Sequence, residues 1–417
     1  MNILLIAYYY PPLEGAGVTR ALQMVKYLRA AGHKVSVLTH SYAGDRIGGE
    51  GLFRIHDAGF NRRRTGFRGF VWLGRRLWCE ASNRIGIYAS IYDAWKRRVL
   101  AHGDEILNII RPDALLATYP PVESLEIALR LGHDRGIPLI ADFRDGLLFE
   151  PIESKKMSRF ACVGRAYAKI EAEIAARASV LVTVSDPLSR YFRDQYGHER
   201  VITVANGFDP EENAMTLPEV TLEPGCFHVV HTGRFALSDA GCDIAPLVEA
   251  LQGLLAARSE LAVKLRLHLL GDLARRERKL LAPLEECGLV RVHGAVDRAQ
   301  ALAFQRRADL LLLVTDPNRR SVASTKIFEY LQARRPILAL TGPTFAAEIV
   351  AKTRSGWVVS PLAAKEIRDI LERLIDDPNL DQKVDLSPAA IAAYSFPTSL
   401  TRLSESLGAM ERPGPLP

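Results

Sequence analysis

The sequence predicts an α/β protein built from two doubly wound, Rossmann-like domains that face each other across a cleft. Short strand-like apolar runs alternate with segments of helical period, and they do so in two series separated by an acidic, proline-containing stretch. Length agrees. At 417 residues the chain has room for two large domains, since a domain usually takes ~150 residues.

The first series opens with Asn2–Ala7, an apolar run suited to a buried parallel strand. A loop with two prolines and two glycines, Tyr8–Gly17, leads into a helix over 18–31, where Ala21, Leu22, Val25 and Leu28 keep helical spacing. Residues 35–39 give the next strand. A basic segment then interrupts the pattern, which resumes with strand 114–117, a Tyr-Pro-Pro turn, helix 122–135 and strand 139–141. Helix 160–177, strand 180–184, a helix over 187–196 with Ser185 as N-cap, and strand 201–204 complete the series. In the second series, strands 227–232, 264–270, 290–293, 309–314, 337–340 and 356–359 alternate with helices 244–257, 273–286, 298–308, 326–333 and one ending at 375. A helical stretch at 399–410 precedes a tail, ERPGPLP, expected to be disordered. The implied domains are 1–210 and 225–385, with 211–224 as linker and 386–417 returning a helix toward the first domain. Ligands of such sheets sit outside the carboxyl ends of the strands, so function is sought in the loops that follow them.

Composition excludes several classes. Hydrophobic content of 48% and charged content of 24% are those of a globular chain and rule out disordered, collagen-like or coiled-coil sequences. No apolar run approaches the ~18 residues of a membrane-spanning helix, and MNILLIAYYYPP reads as a first strand rather than a signal peptide. Five scattered cysteines without a C-x-x-C point to a reducing, cytoplasmic setting. The net charge of +6 is local: residues 61–98 hold ten Lys/Arg against Glu80 and Asp93, so the remaining chain is slightly acidic. Trp72, Trp78, Trp95, Phe67, Phe70 and Tyr88 share that stretch. It reads either as a solvated helical face with its aromatics tucked into the domain, or as a surface for anionic lipid headgroups. No nucleic-acid recognition motif accompanies it.

Four loops carry chemistry. Gly15-Ala16-Gly17 precedes a helix, and its backbone could approach an anion; Arg20 stands where a dinucleotide fingerprint needs its third glycine. Strand 139–141 runs into Asp142-Phe143-Arg144-Asp145, whose carboxylates could orient sugar hydroxyls or take a proton, or could simply pair with arginine to fix the loop. Arg234, in Thr232-Gly233-Arg234, could hold a diphosphate. Ser324-Thr325-Lys326 opens a helix with a cap and a lysine, where the helix dipole disfavours positive charge; that conflict marks a phosphate site, and Glu329 one turn on could bind a ribose diol. D-x-D, H-E-x-x-H, Walker A and G-x-S-x-G patterns are absent, and the histidines show no metal-ligand spacing.

Together with Pro11–Gly17, Asn206-Gly207-Phe208-Asp209, Leu270-Gly271-Asp272, Val292–Gly294 and Arg335-Pro336-Ile337, these segments resemble the family 4 glycosyltransferases of the GT-B fold over almost the whole chain. The resemblance implies that the second domain binds a nucleoside-diphosphate sugar, that the first receives a hydroxyl acceptor, and that transfer retains anomeric configuration with no cofactor and no bound metal. It implies that Arg234 and Lys326 hold the diphosphate and Glu329 the ribose, with Gly271 and Val292 near the base, Ser324 and Thr325 at the phosphates, and Gly15 and Gly17 nearby. It places Gly17, Arg20 and Asn206 toward the acceptor, and the chemistry with Asp142, Arg144 and Asp145. The acceptor it implies is a saccharide or a lipid-linked saccharide, in cell-surface polysaccharide or glycolipid synthesis, with 61–98 at the inner membrane face. Departures are specific: the first of the family's glutamate pair falls on Ser321, Leu237–Gly241 lacks the usual lysine, and Arg144 replaces a histidine. A nucleotide-sugar epimerase and a non-catalytic nucleotide-sugar-binding protein stay open as alternatives, because fold does not fix function.

Overall fold

The structure is a computed structural model, and it describes residues 1–13, 15–49, 51–57, 66–133, 135–151, 154–235, 243–321, 323–377 and 384–410. The Leu237–Gly241 segment and the ERPGPLP tail lie outside the described residues.

The chain divides into two compact units: Met1–Ala205 with Ser399–Pro417, and Asn206–Thr398. In the first, strands β1 (Asn2–Ile6), β2 (Lys34–Ser41), β3 (Leu52–His56), β4 (Ala114–Tyr119), β5 (Leu139–Phe143), β6 (Val180–Thr183) and β7 (Val201–Thr203) form a parallel sheet in the order β3-β2-β1-β4-β5-β6-β7. In the second, β8 (Phe227–Thr232), β9 (Leu265–Leu270), β10 (Val290–Gly294), β11 (Leu310–Val314), β12 (Ile337–Leu340) and β13 (Gly356–Val359) form another, ordered β10-β9-β8-β11-β12-β13. The central strands are continuous apolar runs because helices cover both faces; Ile3 to Ala7 and Leu310 to Leu313 are almost wholly buried. In each sheet the order reverses at one point, between β1 and β4 and between β8 and β11. The crevice at that reversal lies outside the carboxyl ends of those strands. It therefore exposes the Gly15 loop in one unit and Thr232-Gly233-Arg234 in the other.

Three elements differ from the sequence reading. The stretch between 40 and 113, read without elements, contains strand β3 and helices Gly66–Arg84, Asp93–Ala101 and Gly103–Ile110; arginines interspersed in the first two of these helices mask their period. Residues 211–224, read as a linker after a first domain ending at 210, fall within the compact second unit, which begins at Asn206. Asp209 caps a short 3-10 helix, Pro210–Ala214, and Glu212 accepts from both Nη2 (2.9 Å) and Nε of Arg298. Helix Phe345–Thr353 fills the gap between β12 and β13 and is capped by Thr344. The final helix, Phe396–Met410, joins the first unit from Ser399 onward. Leu403 and Leu407 are fully buried there, each burial contributing roughly 1.5–3 kcal/mol. His33 Nε2 lies 3.1 Å from Ser404 Oγ, and Arg402 donates to the Thr203 carbonyl.

Candidate active site

In the second unit, three segments converge: two strand ends and a helix start. β8 ends at Thr232, and the chain turns at Gly233 with φ 82°. A Cβ at this position would lie 2.8 Å from Lys326 Cε, so only glycine lets the turn rest on the lysine stem. Gly271, at the end of β9, lies against the Gly233 carbonyl more closely than any side chain permits. Helix Thr325–Ala333 is capped by Ser324, whose Oγ accepts from Lys326 N, and it aims its free N–H groups at the same place.

Lys326 is 8% exposed. Its Nζ donates to the Arg234 carbonyl at 2.7 Å and lies 3.4 Å from His231 Nε2. His231 Nδ1 is 2.9 Å from the Leu312 carbonyl, which can only accept, so the proton sits on Nδ1 and the Nε2 lone pair faces the ammonium. Burial first, and then the Lys326 charge, hold the imidazole well below its ordinary pKa, which keeps it neutral. Phe235 stacks on the ring at 4.0 Å. Tyr330 ties the end of β8 to β11: its hydroxyl accepts from Thr232 N at 3.1 Å and donates to the Leu312 carbonyl at 3.2 Å.

Arg234 is largely exposed and pairs with Asp272 at 2.9 Å, a contact worth at most about 1 kcal/mol and easily exchanged for a ligand. Glu329 lies a turn beyond Lys326. Its Oε1 accepts from Arg298 Nη1 at 2.6 Å and its Oε2 from Gln305 Nε2 at 3.2 Å, with Gln305 also donating to Thr232 Oγ1. Val292 packs against the unit's apolar core; the link from β10 to Glu329 is Arg298, which begins the helix that follows. His231, Gln305 and Arg298 were not singled out by sequence. A buried histidine one residue before Thr232-Gly233-Arg234 was the available signal.

In the first unit, Gly15 (φ 123°) starts helix Ala16–Ala30, and Arg144 fills the space beside Gly17. A Cβ on Gly17 would stand 2.6 Å from Arg144 Nη1. Arg144 donates to the carbonyls of Tyr119 (3.1 Å) and Pro120 (3.0 Å). Burial pulls its pKa down from the ordinary guanidinium value, yet arginine stays charged. A cation thus sits beside a helix N-terminus. Asp145, half-buried, follows on the same loop.

Arg20 is placed by sequence at the acceptor and Asp142 in the chemistry; the structure pairs them with each other. Arg20 Nη2 donates to Asp142 Oδ1 at 2.6 Å, Nε to Oδ2 at 3.0 Å, and Thr118 Oγ1 to Oδ2 at 2.7 Å. Arg20 is 1% and Asp142 0% exposed, so this is a buried brace between helix Ala16–Ala30 and β5. Asn206 belongs to the second unit. Its neighbour Gly207 passes tightly under Tyr394 and Phe208 pairs with Ser395, so the glycine of that motif serves a close chain crossing.

The basic segment resolves into two faces. Trp95 is fully buried and Trp72 half-buried, while Phe70 (74% exposed), Leu73, Leu77 and Trp78 (68%) line the outer side of helix Gly66–Arg84 at helical spacing. The Phe67 side chain lies outside the described residues. No helix among the described residues is long and apolar enough to cross a membrane, and no group of three His, Cys, Asp or Glu among them is arranged to hold a metal ion.

Comparison with known proteins fits this geometry. Residues 15–207 match the family described as glycosyl transferase 4-like domain, and residues 226–377 match glycosyl transferases group 1. The chain belongs to the GT-B glycosyltransferases. It is a glycosyltransferase. No curated protein matches it by sequence. Among solved structures, a trehalose-phosphate synthase from Burkholderia vietnamiensis is similar with a TM-score of 0.64 at 13% identity, covering 98% of this chain and 100% of that one. Sucrose-phosphate synthase from Thermosynechococcus elongatus gives 0.64 at 15%, covering 98% of each chain. Anabaena HepE, solved with UDP, gives 0.62 at 15%, covering 98% of this chain and 100% of that one. These likenesses show the fold.

Proposed function

We propose that the enzyme transfers a sugar from a UDP-sugar to a hydroxyl acceptor with retention of configuration, without a metal, at an anionic membrane surface. The observation that carries this reading is the placement of Lys326: a buried ammonium at a helix N-terminus, aimed by a neutral histidine and a carbonyl. As the donor's glycosidic bond breaks, negative charge grows on the departing diphosphate. Lys326 and the N–H groups at Thr325 are already oriented to receive it, and Arg234 can leave Asp272 to join them. Glu329 keeps lone pairs for a ribose diol while Arg298 and Gln305 fix its rotamer. UDP is favoured because HepE was solved with UDP and the Burkholderia synthase is UDP-forming.

For retention, the acceptor hydroxyl enters on the face the diphosphate leaves. Asp145, at the carboxyl end of β5, is the carboxylate for orienting that hydroxyl or steadying the oxocarbenium-like sugar, and Arg144 is the cation beside it. The exposed apolar stripe on helix Gly66–Arg84, flanked by Arg75, Arg76 and Arg84, suits insertion among anionic headgroups. This favours an acceptor in cell-surface polysaccharide or glycolipid synthesis. The test is donor turnover and nucleotide binding by the Lys326→Ala variant. Transfer falls by ~10²-fold or more with the fold intact; unchanged turnover overturns the assignment.

A further inference from the structure

The loop after β5 is held at both ends. Upstream, Arg144 N donates to the Tyr119 carbonyl at 3.3 Å, and the Arg144 guanidinium donates to the carbonyls of Tyr119 and Pro120. Downstream, Leu148 N donates to Oε2 of Glu171 at 3.0 Å. Between the two anchors the chain folds back sharply. A Cβ on Gly146 would overlap the Phe149 carbonyl oxygen, and Leu147 is fully buried. Asp145 lies within this pinned stretch.

Glu171 reaches the loop from helix Ala161–Arg177 and is fully buried. Its Oε1 accepts from the hydroxyls of Tyr191 at 2.6 Å and Tyr196 at 2.8 Å, both on helix Asp186–Tyr196. Burial raises the pKa of this carboxyl, and the hydrogen bonds from Tyr191, Tyr196 and Leu148 oppose the rise. Burial first, and then Glu171, push both phenols up, Tyr196 to about 12, so both remain donors near neutral pH. The Phe149 ring packs on Tyr191 at 5.1 Å, a second grip on the same loop. A buried carboxylate is expensive, and apolar residues would join the two helices as well. What an apolar residue could not do is accept from the Leu148 N–H.

We propose that Glu171 is a positioning residue for sugar transfer: through Leu148 it fixes the loop that carries Arg144 and Asp145 in the arrangement transfer requires. It touches no substrate itself. The assignment rests on the reading that this loop takes part in the reaction. A displacement of about 1 Å at a reacting group costs about 10²-fold in rate. A loop released at Leu148 therefore loses turnover, while the nucleotide site in the second unit is left alone.

The experiment compares Glu171→Gln, Glu171→Asp and Glu171→Ala in the full chain, each alone and with Asp145→Asn. Turnover is read as UDP released from whichever of UDP-glucose, UDP-galactose and UDP-N-acetylglucosamine the wild type uses best. Calorimetry gives UDP affinity, and hydrogen exchange of the 144–149 peptide reports the loop. Glu171→Gln keeps an oxygen for Leu148 N and an NH2 for the two phenol oxygens, so kcat stays within about threefold of wild type. Glu171→Asp keeps the charge but is one methylene shorter. Exchange of 144–149 quickens and kcat falls about tenfold, with donor KM and UDP affinity unchanged. Glu171→Ala extends the loss to about 10²-fold. Where Asp145→Asn lowers turnover in the wild type, it costs much less in the Glu171→Asp background, because both act through one geometry. Unchanged exchange in Glu171→Asp, faster exchange with wild-type kcat, a Glu171→Gln no better than Glu171→Asp, or full additivity with Asp145→Asn overturns the proposal. Should Glu171→Ala fail to fold, the Asp and Gln variants decide alone. An Asp145→Asn enzyme that turns over normally strikes the reading of Asp145, and Glu171 is then judged on the kcat of Glu171→Asp against that of Glu171→Gln.

Discussion

His231 points its Nε2 lone pair at Lys326 Nζ, 3.4 Å away, while its other nitrogen is anchored on the Leu312 carbonyl of β11. The imidazole therefore aims the ammonium without neutralising it, which a carboxylate at the same place would do. His231→Phe keeps the stacking on Phe235 but removes the acceptor for Lys326. Transfer should fall by about tenfold, mostly in kcat, with little change in stability. Because burial and Lys326 keep this histidine neutral, transfer should show no acid limb from it between about pH 6 and 8. A pH–rate profile of the wild type and the variant checks both.

Asp142 and Asp145 separate by what their loss does. Asp142→Asn leaves Arg20 buried without its counter-charge, so unfolding stability should drop by about 3–5 kcal/mol. Asp145→Asn should leave stability within about 0.5 kcal/mol and lower transfer at unchanged donor affinity. Denaturant melts beside single-turnover assays distinguish the two.

Glu123 gives a stability signature. Folding raises its pKa from 4.5 to about 7, so the folded state holds the proton more tightly than the unfolded chain. Its contribution is best below about 4.5, is lost as pH rises toward 7, and is constant above. The difference at alkaline pH is about 1–3 kcal/mol. Glu123→Gln should therefore be more stable than wild type at about pH 8.5, with the advantage shrinking by about pH 5. Chemical denaturation at both pH values measures it.

The outer face of helix Gly66–Arg84 makes a further claim. Phe70→Ser/Trp78→Ser should abolish sedimentation with anionic vesicles while leaving thermal stability almost unchanged, because both side chains are already in solvent. Vesicles of neutral lipid, and high salt, should weaken wild-type binding.

Much of this was legible in the sequence. Strands 227–232, 337–340 and 356–359 are read to the residue, since apolar runs bounded by polar turns leave no competing period. The Ser324–Lys326 start was legible because a lysine in a first helical turn breaks a local rule. What stayed hidden depends on partners far apart in the chain. Arg20 and Asp142 are 122 residues apart, and nothing local says that each satisfies the other. Lys326 and His231 are 95 apart, and Glu123 is an ordinary helix acid until helices from the basic segment bury it.

The polypeptide enters the second unit once, at Asn206, and leaves it again at Ser399 to finish in the first. No single scission therefore yields both halves intact. A fragment ending at 205 would lack Leu403, Leu407 and the Ser404 partner of His33, exposing the apolar strip they cover. Anyone wishing to study the halves separately would do better to supply 399–410 in trans, or to graft it behind residue 205, than to cut the gene in two.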